Sequence, residues 1–251
     1  MSAIILLATL SQITNPTSLA AKPVDKVSPP AIVRPQNFSN QPTDAQQQLQ
    51  QGIQLYQEQK FSKAALVLQQ TSEAFKIAGD GLNQALALNY LALAYLQLGQ
   101  LSDAQAATNS SLALLQNQDG SQEYLKVRAQ ALITKGKLQL AQGKAETALK
   151  TWEEATKAYK KAKDEAGIIG SQINQTQALQ TLGFYRRAHT TLENLRKNLE
   201  KQPNSLLKVK GLLSLGNTQR VVGNVEKSKK DLEKAKKLAE ELRSAMLYLS
   251  P

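Results

Sequence analysis

Apolar positions along the chain recur in blocks. A helix-period apolar stretch runs up to a turn glycine, as in "ALNYLALAYLQLG" (87–99). A second amphipathic stretch follows, with Leu68, Trp152, Leu192 and Leu232 on its inward face. Breakers then close the block at "GDG" (79–81), "QNQDGS" (116–121), "KDEAG" (163–167) and "KQPNS" (201–205). The turn glycines Gly99, Gly143, Gly183 and Gly223 are spaced by 44, 40 and 40 residues. "LYQEQKFSKA" (55–64) fits the same frame with Gln59 at the glycine position, which makes five units.

Each unit carries the same skeleton. A small residue comes first: Gly52, Ala92, Gly136, Thr176 or Gly216. Leu55, Tyr95, Gln139, Leu179 and Gln219 stand three residues later, and the turn position four after that. Two residues past the turn stands an apolar or aromatic group: Phe61, Leu101, Ala145, Tyr185 or Val225. Three further on comes another small residue: Ala64, Ala104, Ala148, Ala188 or Ser228. The turn glycine ends the first helix because it takes the left-handed conformation without a Cβ clash. The small residue of the second helix allows the two helices to approach closely.

This skeleton resembles the tetratricopeptide repeat (TPR) over residues 44–243. The resemblance implies an all-α, right-handed TPR superhelix of about five helix-turn-helix repeats. The repeats are expected at 44–80, 81–120, 121–166, 167–204 and 205–243. Their period of about forty residues, against the usual thirty-four, implies longer helices. The order of leader, proline-rich stretch and Gln-rich repeats also resembles the N-terminal array of bacterial CHAT-domain (caspase-like) proteins. The Cys–His pair of that family cannot exist here, because the chain has no cysteine.

The flanks read differently. "AIILLATL" (3–10) is too short to span a bilayer but suits a signal-peptide core, with "SLA" (18–20) as a cleavage site. Residues 1–21 are therefore read as a leader lacking the basic n-region, and the protein as secreted or periplasmic, the alternative being cytoplasmic. Residues 22–43 hold five of the eight prolines and read as a linker. Residues 244–251, "SAMLYLSP", read as an incomplete next helix or a tail. Such an end is expected in a truncated piece of a longer protein, or in one that self-associates through this terminus.

Composition supports helices: Ala, Leu, Gln and Lys dominate, and aromatics are only 5%. The net charge of +11 belongs to the C-terminal half. In "EKSKKDLEKAKKLAEEL" (226–242) acids interleave with the lysines at helical spacing, as on a solvated outer face. A basic helical nucleic-acid-binding array is the alternative reading, although stacking aromatics of the kind that hold bases are missing. Zinc-thiolate sites and cysteine nucleophiles are excluded, and His189 is the only histidine. No metal site, cofactor or catalytic group is expected, and the chain is not read as an enzyme.

What remains is surface. The first helices of a TPR array line its concave face. The groove positions with partner-binding chemistry are Asn89, Tyr90, Lys137, Asn174, Gln177, Gln180, Asn217 and Arg220. Amides both donate and accept hydrogen bonds and can grip an extended backbone, while Lys137 and Arg220 can meet carboxylates. The expected function is a non-catalytic scaffold that binds a partner peptide or helix in this groove. The first alternative is the regulatory TPR portion of a CHAT protease-like protein.

Overall fold

The computed structural model describes residues 44–116 and 120–248, the side chains of 245–248 excepted. The expected leader (1–21) and linker (22–43) lie outside the described residues. Ten helices and no strand make up the described chain. They are α1 (Asp44–Gln57), α2 (Phe61–Ile77), α3 (Gly81–Gln97), α4 (Leu101–Leu114) and α5 (Gln122–Ala141). They continue as α6 (Ala145–Lys161), α7 (Glu165–Thr181), α8 (Tyr185–Lys201), α9 (Leu206–Val221) and α10 (Val225–Tyr248). Residues 244–248, read from sequence as the start of a further element, continue α10 without a break. The longest glycine spacing, 44 residues, spans α5, which at 20 residues is three longer than α3 or α7.

The two kinds of turn end and start helices by different means. Between the helices of a repeat, the backbone N–H three residues past the helix bonds back five residues. Gln100 N–H donates to Tyr95 O at 2.9 Å, Lys144 N–H to Gln139 O at 2.8 Å, and Phe184 N–H to Leu179 O at 2.8 Å. This is the Schellman ending, and it needs a left-handed residue. Gly99, Gly143, Gly183 and Gly223 supply it at φ 74°, 77°, 77° and 87°, and Gln59 adopts φ 62° at the same position of the first repeat. The next repeat then starts with a side-chain cap. Asp80 Oδ1 accepts from Asn83 N–H, Asp164 Oδ1 from Gly167 N–H, and the hydroxyls of Ser121 and Ser205 from Tyr124 and Lys208 N–H. The second helices α2, α4, α6 and α8 have Lys60, Gln100, Lys144 and Phe184 at the N-cap, and none of these side chains makes a capping bond.

Among the described residues, one compact unit ends at Ile168 and another begins at Ile169. In the N-terminal unit, α3 packs on α1, α2, α4 and α5, and α5 packs on α6. One apolar core runs through it, from Leu49 and Ile53 past Leu68, Leu86 and Tyr90 to Val127 and Leu138. In the C-terminal unit, Ile169 and Ile173 of α7 meet Leu192, Leu195 and Leu199 of α8 and Leu215 of α9. Val209 and Leu212 of α9 meet Ala235, Leu238 and Ala239 of α10.

Within repeats the helices meet through a small-on-large register of sixteen residues. A Cβ at Gly52 would lie 2.7 Å from the Leu68 side chain, and one at Gly216 2.7 Å from Leu232. A Cβ at Gly136 would enter the indole of Trp152. That ring is wholly buried and is pinned by its Nε1–H, which donates to Ile133 O at 3.1 Å. Thr176 and Leu192, both buried, stand at the same offset in the fourth repeat. The small residues Ala64, Ala104, Ala148 and Ala188 of the second helices are completely buried. Ser228 replaces them in the last repeat, and its hydroxyl donates to Gly216 O at 2.8 Å.

The closeness of these crossings has a measurable cost when it is disturbed. Gly136→Ala should destabilise the protein by about 3 kcal/mol in urea unfolding, because the indole has nowhere to go. Adding Trp152→Leu should recover about 1 kcal/mol or more relative to the sum of the single changes, since it copies the Thr176/Leu192 arrangement. At the first turn, Gln59→Gly should stabilise by about 0.5–1 kcal/mol, as the left-handed strain exceeds the entropy that glycine adds to the unfolded chain. Gly99→Ala should have the opposite sign, and thermal unfolding of both variants checks the pair.

Candidate functional site

The first helices carry the residues expected to face a groove, and the two units treat them differently. In the N-terminal unit α3 is enclosed by four helices, and twelve of its residues are buried. Asn89 is one of them. The Thr134 hydroxyl of α5 donates to its Oδ1 at 2.6 Å, so this amide joins successive first helices. Tyr90 is in the core, with its ring 6.2 Å edge-on from Tyr56, and burial pushes its phenol well above the ordinary range. Lys137 of α5 is only 6% exposed. Asn89, Tyr90 and Lys137 are therefore inside the unit rather than on an open groove wall. The sequence expectation misses the flanking helices, which cover both sides of α3. Gln130, one turn before Thr134, is also buried, and its Oε1 accepts no hydrogen bond among the described residues.

The C-terminal unit leaves the equivalent face open. Asn174, Gln177 and Gln180 project from α7 at successive turns, and Ser214, Asn217 and Arg220 occupy the equivalent positions of α9. Together they form a ladder of three rungs, two polar groups wide. Gln180 is already engaged: its Nε2 donates to the Thr218 hydroxyl at 2.5 Å, which in turn donates to Ser214 O at 2.7 Å. Asn174 and Asn217 are half-buried, Gln177 and Arg220 exposed. Among the described residues none of these four side chains has a hydrogen-bond or ion-pair partner. Three amides and one guanidinium therefore face solvent with their valences open.

Behind the ladder runs a charged network that sequence reasoning missed. Arg196 of α8 makes a two-pronged bond to Asp231 of α10, Nη1 to Oδ1 at 2.9 Å and Nη2 to Oδ2 at 2.7 Å. Its Nε donates to Glu193 Oε2 at 3.0 Å, and Gln219 Nε2 of α9 donates to Glu193 Oε1 at 3.0 Å. Asp231 and Gln219 are buried. His189 Nε2 lies 3.5 Å from Glu193 Oε1 beside this network and makes no hydrogen bond among the described residues. The readable signal is Asp231 itself, an acid on the inward stripe Ser228–Asp231–Ala235–Leu238 of a lysine-rich helix. Hydrogen bonds from Arg196 hold the Glu193 carboxyl below its usual range.

The sequence matches no protein-family model and no curated protein. The structure is similar to a Rap protein complexed with Competence and Sporulation Factor: TM-score 0.69, 17% identity, covering 80% of this chain and 55% of that one. It is also similar to the apo form of RapI, with a TM-score of 0.66 and 15% identity over 80% of this chain and 72% of the other. A third match is a thermophilic TPR protein of Thermus thermophilus, with a TM-score of 0.54 and 19% identity over 81% of this chain and 99% of that one. The fold is that of a TPR-like α-solenoid. At these identities the likeness is one of fold alone. Within the TPR frame, the ladder lies on first helices and the Arg196 network ties second helices to their neighbours. No helix among the described residues is long and apolar enough to cross a membrane. No group of His, Asp and Glu among them is placed to hold a metal ion.

Asp231→Ala should lower stability by about 2 kcal/mol, less than for a fully buried pair because Arg196 is partly exposed and keeps Glu193. Glu193 has a depressed folded-state pKa. Its contribution is present above the ordinary carboxylate range and is lost as pH falls through the folded value. Glu193→Gln should therefore flatten the acid side of the stability–pH curve measured by urea unfolding.

Proposed function

We propose that this chain is a non-catalytic protein-interaction scaffold, and that the α7/α9 ladder of its C-terminal unit holds an extended segment of a partner. The observation that carries the reading is the set of open hydrogen-bonding groups on Asn174, Gln177, Asn217 and Arg220. An amide at each of two neighbouring helices can donate to a peptide carbonyl and accept from a peptide N–H, which favours main chain over any particular side chain. Arg220 at the end of the ladder suits a carboxylate, either a C-terminus or an acidic residue. Supporting the reading, the fold is shared with a Rap protein that was crystallised with a bound factor. The alternative reading, the regulatory TPR portion of a CHAT protease-like protein, would be supported by a neighbouring gene that encodes a caspase-like module.

The experiment is quantitative affinity capture with the full chain and with Asn174→Ala/Asn217→Ala/Arg220→Ala. These side chains are at least half-exposed or unpaired, so thermal unfolding should stay within about 2 °C of the parent. Captured partners should fall at least fivefold, while Asn89→Ala should reduce stability and leave capture intact. An unchanged partner list in the triple variant would move the binding surface elsewhere. Retention on nucleic acid with a steep salt dependence would instead favour the basic-array reading.

A further inference from the structure

A second surface lies at one edge of the C-terminal unit, beyond the last rung of the ladder. The bond from Gln180 to Thr218 sets the last turns of α7 and α9 side by side, so the loops that follow them share one edge. Four large apolar side chains stand in those loops or at the helix ends beside them and are exposed: Phe184 by 47%, Tyr185 by 39%, Val221 by 51% and Val225 by 61%. A Cβ built on Gly183 or Gly223 would meet no atom within 4 Å, and both glycines are exposed. Exposed cations surround them: Arg186 and Arg187 on α8, and Lys227 on α10, against the single acid Glu226.

Local stability does not explain these residues. Phe184 sits at the N-cap of α8, where it makes no capping bond. Arg186 and Arg187 occupy the first turn of α8, where the helix dipole disfavours positive charge and where no acid stands. The Arg187 guanidinium lies 5.6 Å from the centre of the Phe184 ring, which holds the cation beside the apolar tip. The corresponding caps of α2, α4 and α6 are Lys60, Gln100 and Lys144. Among these caps only Phe184 is apolar.

We propose that the edge formed by the α7–α8 and α9–α10 loops docks on an anionic lipid bilayer. Phe184, Val221 and Val225 would enter the headgroup–acyl boundary, and Arg186, Arg187 and Lys227 would meet lipid phosphates. The shape selects lipid over a folded partner. Apolar groups on projecting loop tips need a surface that closes around them, and a fluid bilayer does so without a preformed cleft. The charge selects an anionic bilayer, because three exposed cations face one acid.

The test is co-sedimentation of the full chain with phosphatidylcholine vesicles and with vesicles holding about a third phosphatidylglycerol. Binding to the anionic vesicles should exceed binding to the neutral ones by about tenfold and should collapse in high salt. Phe184→Ser/Val225→Ser should weaken it by about tenfold with an unchanged unfolding temperature, since both side chains are exposed. Separately, Arg186→Glu/Arg187→Glu should weaken it by about tenfold without lowering the unfolding temperature, because acids suit the first turn of α8. These paired comparisons separate the loop edge from any contribution of the apolar N-terminal run. In Phe184→Trp, anionic vesicles should shift the emission of the new indole to shorter wavelength, against a constant background from buried Trp152. Equal binding by parent and variants, or an unshifted indole, would overturn the proposal. So would capture by an immobilised acidic polypeptide through these same residues without vesicle binding, an outcome that assigns the edge to an acidic protein.

Discussion

The structure depends on how closely the two helices of a repeat can approach. Gly52, Gly136 and Gly216 each face a large side chain sixteen residues on, and a Cβ at any of them would collide with it. The missing methyl lets Leu68, Trp152 and Leu232 lie across the first-helix backbone. Dispersion contact is strongest at that distance and falls off steeply with any gap. With the pair closed, the connecting segment has room for only a tight turn. That is why a left-handed residue recurs after every first helix, even where glycine is absent and Gln59 must adopt it.

Pairing alone does not order one repeat against the next. Polar groups between successive helices contribute that specificity. Thr134 bonds Asn89, Gln180 bonds Thr218, and Arg196 bonds Asp231. Apolar contacts tolerate sliding, whereas a buried hydrogen bond is lost if the helices shift by one residue, and the stranded group then carries its full desolvation penalty. The same residue types serve two ends in this chain. Where a neighbouring helix supplies the partner, the amide is structural. Where none does, as at Asn174 and Asn217, the amide stays unpaired among the described residues.

The skeleton was legible because it repeats. Gly99, Gly143, Gly183 and Gly223 mark the turns, the buried alanines mark the crossings, and the helix ends fall within a few residues of the expected ones. Trp152 read as core and is core. The groove was legible only in part. Tyr90 and Lys137 occupy the same registers as Asn174 and Gln177, yet they lie buried, as does Asn89, because other helices of the N-terminal unit pack over α3 and α5. The Arg196–Asp231 pair spans 35 residues and two helices, so no local pattern announces it beyond an acid on an apolar stripe.

By itself, then, the sequence determined the all-α class, the five paired helices, the turn positions and the absence of thiol chemistry. Each of these follows from periodicity, backbone preference or residue inventory, which are properties of short windows. The tertiary structure decided which polar residues are partners and which are free, and where apolar groups stay in water. Those outcomes depend on what packs against each face from distant parts of the chain. Identical registers on α5 and α7 consequently became a buried tie at Thr134 in one unit and an open rung at Asn174 in the other.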